Sequence, residues 1–141
     1  SLAEPSYPLL KKLTQQKVKV NVTAILTLEQ VVRVCEVLAA DTPAIVSVFA
    51  GRIADTGVDP VPIMQAAAEV CRSMAPSAEL LWASTREAYN LIQADHAGCD
   101  IVTVTPDIMK KIALFGRDLS ELSLDTVKMF KDDAEAAGFV V

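Results

Sequence analysis

One histidine, His96, and three cysteines, Cys35, Cys71 and Cys99, are all the sequence offers of the residue types that most often bind transition metals. That scarcity leaves zinc clusters and Ser/Cys-His nucleophilic centres almost nothing to work with. The cysteines are odd in number, widely spaced and set among apolar residues, so they read as reduced core residues and not as a disulfide framework. Basic residues are also in the minority, 13 Lys+Arg against 18 Asp+Glu, for a formal net charge of -5. An acidic surface excludes nucleic acid as a main partner, because phosphate backbones select Lys/Arg-rich faces. No apolar run approaches the ~20 residues of a membrane-spanning helix. No basic and apolar signal segment stands at the start either, so no membrane partner and a cytoplasmic address are expected.

What is present is apolar surface: 52% of the 141 residues are hydrophobic and 22% charged, with a mean hydropathy of +0.35. That excludes the disordered class and fits a single domain, residues 1–141, large enough for a real core. High hydropathy without a span predicts strands buried on both faces.

Short β-branched runs alternate with amphipathic stretches. Residues 8–16 predict a helix, 17–25 (KVKVNVTAI) a strand, and 27–40 a helix, with Thr27 and Gln30 as a capping box. The apolar run 43–49 (PAIVSVF) predicts a second strand, followed by a polar loop over 50–59. A helix opened by Pro60 and Pro62, a strand at 78–83, a helix at 85–97 closed by Gly98 and a strand at 100–104 follow. Helices over 107–115 and 119–137 complete the chain. Four βα units mean an α/β fold with parallel strands. Either a small doubly wound sheet or half of a (βα)₈ barrel fits, since a full barrel takes ~250 residues.

In either architecture ligands meet the carboxyl ends of the strands. Asn21 and Thr23 alternate with Val20 and Val22 and so share one face of the first strand. With Ser47 on the second strand they need polar partners, either one another or a substrate and its waters. Arg52 and Arg86 lie just beyond neighbouring strands, with Ser84 beside the second. Two guanidinium groups and a hydroxyl outline an anion clamp. The competing reading is a pair of ordinary surface arginines matched with Asp55 and Glu87. His96, at a helix end, reads as structural, and Trp82 and Phe49, within strands, read as core residues.

At these residues the sequence resembles the transaldolase family, which includes the fructose-6-phosphate aldolases. The matching stretches are NVTAILT (21–27), IVSVFAGRIAD (45–55), LLWASTREAYN (80–90) and GCDIVTVTPDIMKKI (98–112), in the family's order and spacing. The resemblance implies a transaldolase-type (βα)₈ barrel with these four strands as its fifth to eighth. It implies Schiff-base aldol chemistry on a sugar phosphate such as fructose 6-phosphate, with no cofactor and no metal. Asn21 and Thr23 match the polar pair bordering the Schiff base, the threonine helping to hold the catalytic water. Ser47 matches the serine lining the sugar site, and Arg52, Ser84 and Arg86 match the phosphate clamp. Thr85 stands where the family more often has an aromatic.

The family's nucleophilic lysine belongs to the fourth strand and its acidic supports to the first and third, none of which is represented here. The expectation is therefore a C-terminal half of a longer enzyme, inactive alone. Its exposed inner face and unpaired edges predict a homo-oligomer.

Overall fold

The computed structural model describes residues 6–139. The chain divides into two compact units, one ending at Met109 and the other beginning at Lys110. The first unit opens with α1 (Tyr7–Gln15), β1 (Val20–Ile25), α2 (Leu28–Val37) and β2 (Ala44–Val48). It continues through α3 (Ala50–Asp55), α4 (Val61–Met74), β3 (Ala78–Trp82), α5 (Tyr89–His96) and β4 (Ile101–Val102). A short helix, α6 (Pro106–Lys111), spans the division. In the second unit a 3₁₀ turn (Ile112–Leu114) precedes α7 (Leu119–Ala136), which is capped by the Asp118 carboxylate accepting from the amides of Ser120 and Glu121. Val127 and Phe130 on α7 are exposed.

All strand pairs are parallel and the order is β1-β2-β3-β4. A doubly wound sheet reverses its strand order at a switch point. This sheet has no reversal, which decides for the barrel-type arc over the doubly wound alternative.

Burial confirms the period-2 assignment of faces. Val46, Val48, Leu80 and Trp82 join Val31, Val34 and Cys35 of α2 and Met64, Ala67, Ala68 and Cys71 of α4 in one core. Ile25 enters that core because β1 carries a bulge: Val22 pairs with Val46, but Ile25, not Ala24, pairs with Val48. The extra residue is absorbed by Ala24 at φ 62. The opposite face carries Asn21, Ile45, Ser47 and Leu81, and none of these belongs to the helix-packed core. Helices therefore pack on one face of the sheet; on the other, Ser47 and Leu81 of the central strands are buried too, while Asn21 on β1 is exposed.

Several boundaries move for local reasons. β1 begins three residues late because Lys17 sits at φ 63 in a turn whose amide donates to the Thr14 carbonyl. α2 has the expected capping box but stops at Val37, since Leu38 is extended. Residues 50–55 are helical, α3, where a loop was expected. α5 begins at Tyr89, four residues later than the sequence predicted. Among the described residues no helix is long and apolar enough to cross a membrane.

Candidate functional site

At the carboxyl ends of β2 and β3 the ladder continues past the strands. The Ala83 amide donates to the Val48 carbonyl at 2.9 Å, and the Gly51 amide donates to the Ala83 carbonyl at 3.2 Å. This fastens the first turn of α3 to the end of β3. Ser84 follows at φ 64, a left-handed conformation uncommon for a residue with a side chain. Its carbonyl lies so close to Gly51 that a Cβ there would stand 1.6 Å from the Ser84 oxygen.

α3 carries Arg52 and Asp55 three positions apart, on one helical face. The Arg52 guanidinium lies 5.0 Å from the centroid of the Phe49 ring, a cation–π contact. Phe49 is thus half-buried beneath an arginine rather than a deep core residue. Asp55 reaches across to the loop after β3 and grips Arg86. Nε donates to Oδ1 at 3.0 Å and to Oδ2 at 3.2 Å, and Nη2 donates to Oδ2 at 2.5 Å. The hydrogen bonds from Arg86 hold the Asp55 carboxyl below the usual carboxylate range, with further help from the charges of Arg86 and Arg52. Arg86 is raised in turn by the same pairing.

The surface-pair reading therefore holds for one arginine and with a different partner: Arg86 pairs with Asp55, not Glu87. The main chain of Arg86 is fixed as well, because the Asn90 Oδ1 accepts from the amides of Arg86 at 2.9 Å and Glu87 at 3.2 Å. α5 begins only at Tyr89, and Asn90 occupies those amides. Thr85 is buried and its hydroxyl donates to the Thr103 carbonyl.

On the uncovered face of the sheet, the Ser47 hydroxyl donates to Asn21 Oδ1 at 2.6 Å. The two residues satisfy one another across β1 and β2, and Asn21 is exposed while Ser47 is 2% exposed. With its oxygen engaged, the Asn21 amide keeps its two N–H donors for other groups. Thr23, exposed, stands on β1 just before the bulge. Six residues singled out in the sequence thus form two groups, Asn21, Thr23 and Ser47 on the sheet face and Arg52, Ser84 and Arg86 at the strand ends. A hollow of about 430 Å³ lined by Leu26, Arg52, Ile53, Thr56, Val58 and Ile63 adjoins the second group and does not include Arg86.

Two lysines lie toward the other end of the sheet. Lys17 pairs with Asp41, and Lys19 lies 3.5 Å from Glu79, both near the amino ends of the strands.

A profile of the transaldolase/fructose-6-phosphate aldolase family matches residues 2–140. The chain belongs to that family. Probable transaldolases from Brachyspira hyodysenteriae and Methanococcus maripaludis are 29% and 30% identical over 90% and 88% of this chain. One from Mesorhizobium japonicum is 33% identical over 79% of the chain. These matches cover 54%, 54% and 48% of the respective relatives. The transaldolase-family chain thus spans about half the length of the curated relatives it matches.

Three contributors escaped the sequence reading. The spacing of Asp55 suggests only a pairing with Arg52, whereas its carboxylate lies on Arg86. Gly51 carried one signal, a glycine between an apolar strand and an arginine, which marks a close backbone approach. Asn90, four residues after Arg86, had the spacing of a loop-capping side chain.

Proposed function

We propose that this chain is the sugar-phosphate-binding part of a transaldolase-type enzyme, with its four strands as the fifth to eighth of a (βα)₈ barrel and residues 1–141 as one functional half-barrel. The observation carrying this reading is the convergence of Arg52, Arg86 and Ser84 on one side of two adjacent strand ends. Arg52, Arg86 and Asp55 leave one net positive charge there, which suits a phosphate monoester. Arg52 and Arg86 bind the phosphate oxygens, and the Ser84 hydroxyl adds a donor. The sugar then extends over the uncovered sheet face toward Ser47, Asn21 and Thr23. Asn21 and Thr23 border the reacting carbon, with Thr23 holding the water that the aldol chemistry consumes and releases.

The reaction needs an amine that forms an iminium with a ketose, an electron sink for cleaving the adjacent C–C bond. Lys17 and Lys19 are at the opposite strand ends, and we assign neither as that amine. In this reading it comes from outside the four strands, so the 141-residue chain alone binds a sugar phosphate such as fructose 6-phosphate without turning it over. The enzyme works in the cytoplasm without a cofactor. The unpaired edges of β1 and β4 are closed by a second copy, giving a homo-oligomer. Borohydride treatment with fructose 6-phosphate, followed by intact-mass measurement, tests the assignment. No adduct is expected on the chain, and a reduced sugar adduct on one of its lysines would refute it.

A further inference from the structure

The contact between Asp55 and Arg86 has a directional property. A guanidinium offers five N–H donors in a fixed plane. Asp55 takes the Nε–H and one N–H of Nη2, all on the side edge of the group. One N–H of Nη1 and the second of Nη2 form the end edge, where a fork of two parallel donors matches an oxyanion bidentately. The other end of the residue is held by Asn90, so Arg86 is fixed at its main chain and at its guanidinium. As a source of stability the pair is weak, because both side chains are 50% exposed and such exposed pairs contribute little. Its geometry is what sets it apart. Asp55 stands on the same turn of helix as Arg52, and Gly51 fastens that helix to the end of β3.

We propose that Asp55 is a positioning residue for anion recognition: it grips the side edge of Arg86 so that the end edge faces a phosphoryl group shared with Arg52. This rests on the phosphate-binding reading above and adds to it the residue that orients the clamp. The opposite arrangement would make Asp55 a stand-in anion that the ligand must displace. Against that, the carboxylate occupies the side edge and leaves the end fork free. The net positive charge also survives its presence.

The test is calorimetric titration of the whole chain with inorganic phosphate at neutral pH and low ionic strength, for wild type, Asp55→Asn, Arg86→Ala and the double variant. Asp55→Asn is nearly isosteric at an exposed site, and it is expected to stay folded at neutral pH with only a small loss of melting temperature; Asp55→Glu, which restores the charge, serves as the second variant. Wild type is expected to bind. Asp55→Asn is expected to weaken binding on the order of tenfold, with partial recovery in Asp55→Glu. In the Arg86→Ala background, Asp55→Asn is expected to have no further effect, since a positioning residue acts only through the group it positions. The Arg86 Nε–H resonance is expected to keep its Asp55-bonded shift when phosphate saturates. Phosphate binding by Asp55→Asn as tight as wild type or tighter, or loss of that Nε–H shift on saturation, overturns the positioning role alone. Absence of binding by wild type overturns the phosphate-binding reading and this inference with it.

Discussion

Gly51 lies against the carbonyl of Ser84, and there is no room between them for a methyl group. A Cβ at position 51 would be 1.6 Å from that oxygen and 2.6 Å from its carbon. The obstacle is main chain, so no rotamer change relieves it. Gly51→Ala must therefore push α3 away from the end of β3, or move Ser84 out of its left-handed conformation. The expected cost is about 1–3 kcal/mol of overpacking strain, read as a lower urea midpoint at unchanged m-value. Stability equal to wild type would show that the two strand ends are not fastened as described.

The capping box at the start of α2 is closed in both directions. The Gln30 amide donates to Thr27 Oγ1 at 3.2 Å, and the Thr27 amide donates to Gln30 Oε1 at 3.1 Å. Thr27→Ala is expected to lose about 1 kcal/mol, while Thr27→Ser retains most of it. Equal loss in both variants would place the effect outside the cap.

Acid sensitivity follows from two exposed carboxylates. Lys17 holds Asp41, and Arg86 holds Asp55, below the ordinary carboxylate range. A depressed folded-state value contributes stability that is fully present above the unfolded value, about pH 4, and is lost as pH falls through the lower folded value. Stability measured downward from about pH 5 is expected to fall less steeply in Asp41→Asn/Asp55→Asn than in wild type. Identical slopes would mean that neither pairing persists in solution.

The thiols are expected to be silent. Cys35 and Cys71 are buried with their sulfurs 3.9 Å apart, and that contact together with burial pushes the Cys71 thiol up. Burial, with a smaller effect from Asp100, raises Cys99 to about 12. A thiolate is the reactive species. Ellman's reagent is therefore expected to label the native chain slowly and all 3 cysteines after unfolding in guanidinium. Rapid labelling of Cys35 or Cys71 in the native chain would contradict the packing of α2 against α4.

Much of this fold was legible because period-2 runs such as AIVSV and the amphipathic spacing of α2 and α4 survive tertiary packing. α3 was not, because its N-cap, Phe49, makes no side-chain cap bond and Gly51 reads as a breaker. The late start of α5 was hidden for a related reason. Asn90 holds the amides of Arg86 and Glu87 in a loop that propensity alone would continue as helix. At the site, the polar pair Asn21 and Ser47 was visible as residue types at alternating positions. The partner of Arg86 was not, since spacing favours the local pair Arg52 and Asp55, whereas the carboxylate crosses to a residue 31 positions away.

The most direct test of phosphate recognition at these strand ends is calorimetric titration with fructose 6-phosphate and with unphosphorylated fructose, for wild type, Arg52→Ala and Arg86→Ala. The expected result is saturable binding of the phosphorylated sugar only, weakened on the order of tenfold or more by either substitution. Binding of both sugars alike, or binding of fructose 6-phosphate that neither substitution weakens, would contradict it.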